Sequence, residues 1–395
     1  MSIHNEMRFP WVERLLRFDT TSEKSNLDLI DDVAAYLGQM NIDVSLTYNR
    51  ERTKANLFAT IPNNNGDINN GIVLSGHTDV VPTTGQAWTV DPYDATYRDG
   101  RIYGRGACDM KGFLGVVLEE VTAMTQARLS VPLHLSLSFD EEVGCAGIPH
   151  LLADLARRGI NPRGCIVGEP TSMRMVLSHK SIHTFRCQVR GRAAHSSLQT
   201  QGVNAIEYAA QIVERLRLLA QRYRTEGPFD HRFEVPYLTA QTGRMNGGIA
   251  VNTVPDECSL EFEFRNLPTI NPETIRREIT DFVESNISAE MVRLAPEAGA
   301  QVELIASSPA LETSPTEFIV ELVRELLSDK REERVGYGTE AGLFQAAGIP
   351  TVVCGPGDIN RAHKADEYVE VSDLVACKQF LRSLVESLQW KEDPG

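Results

Sequence analysis

The segment Gly71-Ile-Val-Leu-Ser-Gly-His77 is a short apolar run that ends on a histidine, and Thr78-Asp79 follows it directly. An apolar run of this length, preceded by the Asn- and Gly-rich stretch 63–70, predicts a loop and then a buried β-strand. Similar runs recur along the chain, and segments with helical periodicity separate them. This alternation predicts an α/β fold in which helices sandwich a mixed, largely parallel sheet.

Periodicity gives the elements of this larger domain. Apolar residues at helical spacing predict helices, and short or alternating apolar runs predict strands. The predicted helices are 10–18, 27–40, 111–127, 148–158 and 372–388, and the predicted strands are 71–77, 131–139, 164–168 and 350–354.

The middle of the chain has a different pattern. Its predicted order is strand 181–189, helix 204–222, strands 237–242 and 258–264, helix 272–285 and strand 301–306. The order β-α-β-β-α-β is that of a split βαβ, ferredoxin-like domain. We therefore expect an α+β domain over 180–306, inserted into a larger domain that is built from 1–179 and 307–395.

Composition narrows the class of protein. The chain has 395 residues, of which 42% are hydrophobic and 24% are charged, and its formal net charge is −15. An acidic surface repels phosphate backbones and anionic lipids, so we expect neither nucleic acid nor a membrane as partner. The seven scattered cysteines form no C-x-x-C pair and the start of the chain does not resemble a signal peptide, which favours reduced thiols in a cytoplasmic protein.

Metal-binding residue types follow several of the predicted strands. In open α/β sheets, ligands collect at the carboxyl ends of the strands. Two imidazoles and three carboxylates without a thiolate suit Zn²⁺, Co²⁺ or Mn²⁺. Asp109 is the candidate bridge between two ions, with two protein ligands left for each ion. The candidate ligands are His77, Asp109, Glu142, Glu169 and His363.

Two carboxylates beside these ligands have candidate roles in catalysis. Asp79 lies two residues after His77, and in an extended chain both side chains point to the same face, where the carboxylate can accept the second imidazole N–H. Of the adjacent Glu141 and Glu142, one would be a ligand and the other would take a proton from water. Two ions about 3.5–4 Å apart activate a water molecule and polarise a carbonyl group.

Six segments of the chain resemble the M20 family of metallopeptidases and deacylases, and they occur in the family's order over essentially the whole chain. They are Ser75-Gly-His-Thr-Asp-Val-Val-Pro82, Tyr103-Gly-Arg-Gly-Ala-Cys-Asp-Met-Lys-Gly112, Phe139-Asp-Glu-Glu142, Gly168-Glu-Pro170, Gly191-Arg-Ala-Ala-His-Ser-Ser197 and Ala362-His-Lys-Ala-Asp-Glu367.

The resemblance implies a role for each matching residue. It assigns His77 and Glu169 to one metal, Glu142 and His363 to the other, and Asp109 to both, with two Zn²⁺ or Co²⁺ ions per subunit. It makes Glu141 the general base and Asp79 the residue that orients His77, and it implies a cis peptide bond after Asp109. It makes the inserted domain a lid and dimerisation domain of a homodimer. Its remaining implied site residues are His195, which stabilises the oxyanion across the dimer, and the substrate-binding Asn252, Arg265, Gly338 and Thr339.

The function that the resemblance implies is that of a metallo-amidohydrolase acting on linear amides. The best match is the family's deacetylation of N²-acetyl-L-ornithine to L-ornithine and acetate in arginine biosynthesis. Succinyl-diaminopimelate, acetylcitrulline and other N-acyl amino acids are the alternative substrates, and a non-catalytic metal-binding protein on the same fold is the alternative of another class. Glu340 has two candidate roles, as a solvated side chain or as a partner of a substrate amine.

Overall fold

The computed structural model describes residues 7–390, and these divide into two compact units. The first unit contains the described residues up to Ser178, the segment Leu311–Arg334 and the described residues from Thr339 onward. The second unit contains His179–Ala310 and Val335–Gly338. The predicted inserted domain, 180–306, falls within the second unit, and the short segment from Val335 was not part of that prediction.

Helices and strands alternate along most of the described chain. The helices are α1 (Pro10–Leu16), α2 (Leu27–Gln39), α3 (Lys111–Gln126), α4 (Ile148–Arg158), α5 (Ala205–Glu226), α6 (Pro272–Phe282), α7 (Ala289–Leu294), α8 (Phe318–Leu326), α9 (Ala341–Ala346) and α10 (Val371–Ser387). The strands are β1 (Asp43–Tyr48), β2 (Ala55–Ile61), β3 (Ile72–His77), β4 (Thr96–Arg98), β5 (Arg101–Tyr103), β6 (Leu133–Ser138), β7 (Gly164–Pro170), β8 (Met175–His179), β9 (Ile182–Arg190), β10 (Ala194–His195), β11 (Thr239–Gly247), β12 (Thr253–Val254), β13 (Glu257–Arg265), β14 (Gly299–Ser308), β15 (Leu311–Glu312), β16 (Glu332–Val335), β17 (Thr351–Gly355) and β18 (Tyr368–Glu370).

The large sheet of the first unit is mixed, with a parallel centre. Its strand order is β1-β2-β6-β3-β7-β17-β8-β15, and β16 pairs with β8. The neighbours β6, β3, β7 and β17 run parallel, whereas β1, β2 and β8 join the sheet in antiparallel pairings. This arrangement confirms the predicted α/β class with a largely parallel central sheet.

Both faces of the central strands are covered. Successive residues of a strand point to opposite faces, yet every residue of β2, β3, β6, β7 and β17 is buried. Strand β6 shows how polar residues are accommodated there. Its alternating sequence places His134 on the opposite face from the leucines, and the Nδ1 atom of that imidazole lies 3.0 Å from Thr60 Oγ1.

The second unit has the element order β9-α5-β11-β13-α6-β14, which is the predicted β-α-β-β-α-β order. Its four long strands form an antiparallel sheet in the order β11-β13-β9-β14. One face of this sheet and the inner faces of the helices form a separate apolar core. The predicted helix 272–285 ends earlier, at Phe282, and a π-helical turn, Val283–Ser288, connects it to α7.

Two findings bear on the expectations from composition. All seven cysteines are buried and free of disulfide bonds. Among residues 7–390, no helix combines the length and the apolar character that are needed to cross a bilayer.

Candidate metal centre

The carboxyl ends of three neighbouring parallel strands carry most of the predicted ligands. His77 is the last residue of β3, Glu169 lies near the end of β7, and Glu141 and Glu142 follow β6. Because β6, β3 and β7 are adjacent and parallel, these side chains emerge at one edge of the sheet. Asp109 comes from the turn before α3, and the peptide bond that follows it is cis, as the resemblance implied.

Asp109 faces two imidazoles, one with each carboxylate oxygen. Its Oδ1 atom lies 3.0 Å from His77 Nε2, and its Oδ2 atom lies 3.1 Å from His363 Nε2. On either side of this pair, Glu169 Oε1 lies 3.7 Å from His77 Nε2 and Glu142 Oε1 lies 3.0 Å from His363 Nε2. The structure therefore brings all five predicted ligands together within the first unit.

Glu141 belongs to the same group of side chains. One of its carboxylate oxygens lies within 4.8 Å of ligand atoms of both His77 and Glu169. We refer to the six side chains together as the ligand cluster: His77, Asp109, Glu141, Glu142, Glu169 and His363.

A bound cation would stabilise the crowded carboxylates of the ligand cluster. Burial raises the pKa of Glu141 to about 8, and burial together with neighbouring carboxylates raises the pKa of Glu169 and of Glu142. Burial alone would also raise the pKa of Asp109, but its hydrogen bonds with the two imidazoles lower it. Four crowded carboxylates and two imidazoles are the donor set that first-row divalent cations prefer, so these residues fit a metal centre.

Asp79 is placed somewhat differently from its prediction. The Nδ1 atom of His77 lies 2.9 Å from the backbone carbonyl of Asp79, whereas the Asp79 carboxylate is 3.6 Å from it. The carboxylate instead accepts hydrogen bonds from the backbone N–H groups of Glu141, at 3.0 Å, and Glu142, at 3.2 Å. Residue 79 thus orients the imidazole through its main chain and the two glutamates through its side chain.

Glu340 is not a solvated side chain. It is fully buried, its Oε1 atom accepts a hydrogen bond of 2.5 Å from Ser75 Oγ, and its Oε2 atom accepts one of 2.6 Å from Ser138 Oγ. Ser75 precedes His77 on β3, and Ser138 is the last residue of β6. Glu340 therefore connects two of the strands that carry the ligand cluster, and the expected solvated role is wrong because the side chain is buried.

The other predicted site residues lie mostly in the second unit. His195 on β10 is exposed, and its Nδ1 atom accepts a hydrogen bond of 3.3 Å from the backbone N–H of Ser197. Asn252 lies next to it, because its backbone carbonyl accepts a hydrogen bond of 3.0 Å from the N–H of Ser196. Arg265 ends β13, and its Nε atom donates to Glu263 at 3.2 Å.

Gly338 and Thr339 lie where the chain passes from the second unit to the first. The ideal Cβ position at Gly338 is 3.0 Å from side-chain atoms of Ile182, so the glycine allows a close approach to β9. Thr339 is buried, and its hydroxyl accepts a hydrogen bond of 3.1 Å from the N–H of Ala341.

Three further residues support the ligand cluster and had no role predicted from the sequence. Gln86 and Glu367 form hydrogen bonds with the backbone of His363 and of Asp109, and Arg105 donates to both of their side chains. Arg105 and Glu367 lie inside segments that carry the family resemblance, and the available signal was an Arg between two glycines, Gly104 and Gly106. Gln86 offered no signal, because its hydrogen bond with His363 joins residues 277 positions apart.

The sequence and the fold are similar to those of known proteins. The chain is 33% identical over 373 residues to the acetylornithine deacetylase of Shigella sonnei, with 93% of this chain and 92% of that protein covered. Its fold is similar to a Staphylococcus aureus tripeptidase (TM-score 0.75, 21% identity, 98% and 99% of the two chains covered). It is also similar to a Bacillus subtilis dinuclear metal-binding peptidase of the M20 family (TM-score 0.66, 15% identity, 96% and 98% covered).

These features are those of a metal-dependent hydrolase that acts on amide or peptide bonds. Residues 73–387 match the model of peptidase family M20/M25/M40, and the chain belongs to that family.

Proposed function

We propose that the protein is a two-metal amidohydrolase that removes the acyl group from an N-acyl amino acid. The observation that carries this proposal is the Asp109 carboxylate, whose two oxygens face His77 and His363 at 3.0 and 3.1 Å. We further propose N²-acetyl-L-ornithine as substrate and L-ornithine and acetate as products, in arginine biosynthesis. The similarity to the acetylornithine deacetylase of Shigella sonnei supports this choice.

The proposed cofactor is a pair of Zn²⁺ or Co²⁺ ions in each subunit. His77 and Glu169 would hold one ion, Glu142 and His363 the other, and Asp109 both. The distances of 3.7 Å between His77 Nε2 and Glu169 Oε1 and of 3.0 Å between His363 Nε2 and Glu142 Oε1 support this division. When bound, such ions polarise the amide carbonyl and make water more acidic.

Glu141 is the proposed proton carrier. Its carboxylate removes a proton from the attacking water as the new C–O bond forms, and it delivers that proton to the amine nitrogen as the C–N bond breaks. Burial raises its pKa to about 8, which favours proton uptake near neutral pH, and a nearby cation would lower that value. The Asp79 carboxylate supports this role because it fixes the backbone of the Glu141–Glu142 turn.

The second unit would supply the remaining groups as a lid and dimerisation domain. The Nδ1 atom of His195 lies 2.8 Å from Ser197 Oγ and 3.3 Å from the backbone nitrogen of the same residue. With Nδ1 as the acceptor, Nε2 would carry the proton and could donate it in a hydrogen bond to the oxyanion. We propose that it does so in the neighbouring subunit of a cytoplasmic homodimer. Arg265 would bind the substrate carboxylate, with Asn252, Gly338 and Thr339 as further contacts.

A substrate panel tests the proposed function. Protein treated with a chelator and reloaded with Zn²⁺ or Co²⁺ is assayed for amine release from N²-acetylornithine, N-acetylcitrulline, N-succinyl-diaminopimelate and N-acetylmethionine. We expect no activity without metal and the highest kcat/KM on N²-acetylornithine. A higher kcat/KM on another member of the panel would reassign the substrate within the family. Two bound ions without turnover of any substrate would instead indicate a non-catalytic metal-binding protein.

A further inference from the structure

The loop that carries His363 has an unusual backbone. His363 has a φ of +62° and Asp366 a φ of +55°, in the left-handed region that residues with a Cβ atom rarely adopt. Such conformations persist where surrounding contacts fix them. The position of the His363 imidazole therefore depends on what holds this loop.

The segment 86–89 forms hydrogen bonds with both residues that have a left-handed backbone conformation, His363 and Asp366. The side-chain Nε2 of Gln86 donates a hydrogen bond of 3.0 Å to the backbone carbonyl of His363. Three residues further on, the N–H and hydroxyl of Thr89 donate to the two carboxylate oxygens of Asp366 at 2.8 and 2.7 Å. The conformation of the His363 loop is thus determined by contacts with a segment that contributes no predicted ligand.

A second set of contacts holds the turn of Asp109. The fully buried Oε1 of Glu367 accepts hydrogen bonds from the backbone N–H groups of Cys108 and Asp109, at 2.9 and 3.0 Å. Its Oε2 atom accepts one of 2.5 Å from Nη1 of Arg105. A carboxylate that receives three donors, one of them a guanidinium, fixes both its own position and that of the turn.

The side chain of Gln86 connects these two sets of contacts. Its Oε1 atom accepts a hydrogen bond of 2.6 Å from Nη2 of Arg105 and one of 3.0 Å from the indole of Trp88. Because the oxygen faces two donors, the amide nitrogen must face the carbonyl of His363. The chain of contacts then runs from Asp109 through Glu367 and Arg105 to Gln86, and from there to His363.

We infer that Gln86 is a positioning residue that sets the His363 imidazole against the second oxygen of Asp109. This inference rests on the proposed two-metal function. The role needs a donor and an acceptor on one side chain, which an amide has and a carboxylate or a hydrocarbon does not. Loss of the amide should therefore weaken the ion held by His363 and Glu142 and spare the ion held by His77 and Glu169.

The test compares Gln86→Leu and Gln86→Glu with wild type, His363→Ala and the control Gln126→Leu, an exposed position on α3. Each metal-free protein is titrated with Co²⁺, and stoichiometry, affinity and the visible absorption spectrum are recorded together with thermal unfolding. We expect wild type and the control to bind two ions. Both Gln86 variants should bind the first ion normally and the second about 10–100-fold more weakly, and their one-ion spectrum should match that of His363→Ala.

Two results would contradict the inferred role of Gln86 and leave the proposed function unaffected. One is wild-type affinity for both ions in Gln86→Leu. The other is equal weakening of both sites together with a lowered unfolding temperature, which would indicate a general loss of structure. Fewer than two ions in the wild-type protein would overturn the proposed function, and the inference with it.

Discussion

Replacing the buried Glu340 tests how much one carboxylate contributes to the stability of the first unit. The substitution Glu340→Met keeps the length of the side chain and removes both acceptors, which leaves the hydroxyls of Ser75 and Ser138 buried without this partner. Two hydrogen bonds to a carboxylate are worth roughly 3–6 kcal/mol together. Removing a buried charge, whose pKa is raised by burial, offsets part of that loss. We expect the free energy of unfolding to fall by about 2–4 kcal/mol.

Urea unfolding followed by tryptophan fluorescence measures this change. The tryptophans at positions 11, 88 and 390 all belong to the first unit, so the signal reports the unit that contains Glu340. Glu340→Gln retains one carbonyl acceptor and should lose about half as much stability. Adding Ser138→Ala to Glu340→Met should recover part of the loss, because it removes the hydroxyl that the carboxylate had satisfied, whereas Ser75 keeps a hydrogen bond of 3.0 Å with Ser136.

Either of two results would contradict this prediction. A loss below about 1 kcal/mol in Glu340→Met would mean that the two short hydrogen bonds contribute little to stability. An additive further loss in the double variant would mean that Ser138 acts independently of the carboxylate.

Three further predictions concern the catalytic base, a close backbone approach and a buried histidine. Glu141→Gln should lower kcat about 10²–10⁴-fold and leave the measured metal content unchanged; metal loss would contradict its assignment as the base. Gly168→Ala should lower the free energy of unfolding by about 1–3 kcal/mol, because the new Cβ would lie 2.1 Å from ring atoms of Phe113. The control Gly38→Ala, which has open space around it in α2, should not lower the free energy of unfolding. Equal effects of Gly168→Ala and Gly38→Ala in urea unfolding would contradict the packing argument. Burial lowers the pKa of His134 from 6.5 to about 4. Between pH 6.5 and pH 4 the imidazole therefore binds a proton in the unfolded chain but not in the folded one, so the free energy of unfolding falls as the pH falls. Between pH 7 and pH 4, the free energy of unfolding should therefore fall by up to about 3 kcal/mol less in His134→Gln than in wild type. An equal fall in the two proteins over this pH range would contradict the prediction.

Much of the fold could be predicted from local pattern. Ile148–Arg158 is a helix with the predicted bounds, and Gly164 begins the predicted strand. Strands such as β2 and β8 were missed, since a short apolar run without clear alternation does not distinguish a strand from other buried segments. The ligand cluster was found because strand ends carry residues with metal-binding chemistry, and β6, β3 and β7 lie side by side.

The sequence by itself determined the alternation of elements, the residue types at the strand ends and the family to which the chain belongs. These properties depend on neighbours within a few residues, or on segments that can be compared directly with known proteins. Only the tertiary structure decided that Glu340 is fully buried between two serines, and that the amide of Gln86 faces the carbonyl of His363. Those contacts join residues 202 to 277 positions apart, and they arise from strand order and loop conformation, which local periodicity does not encode.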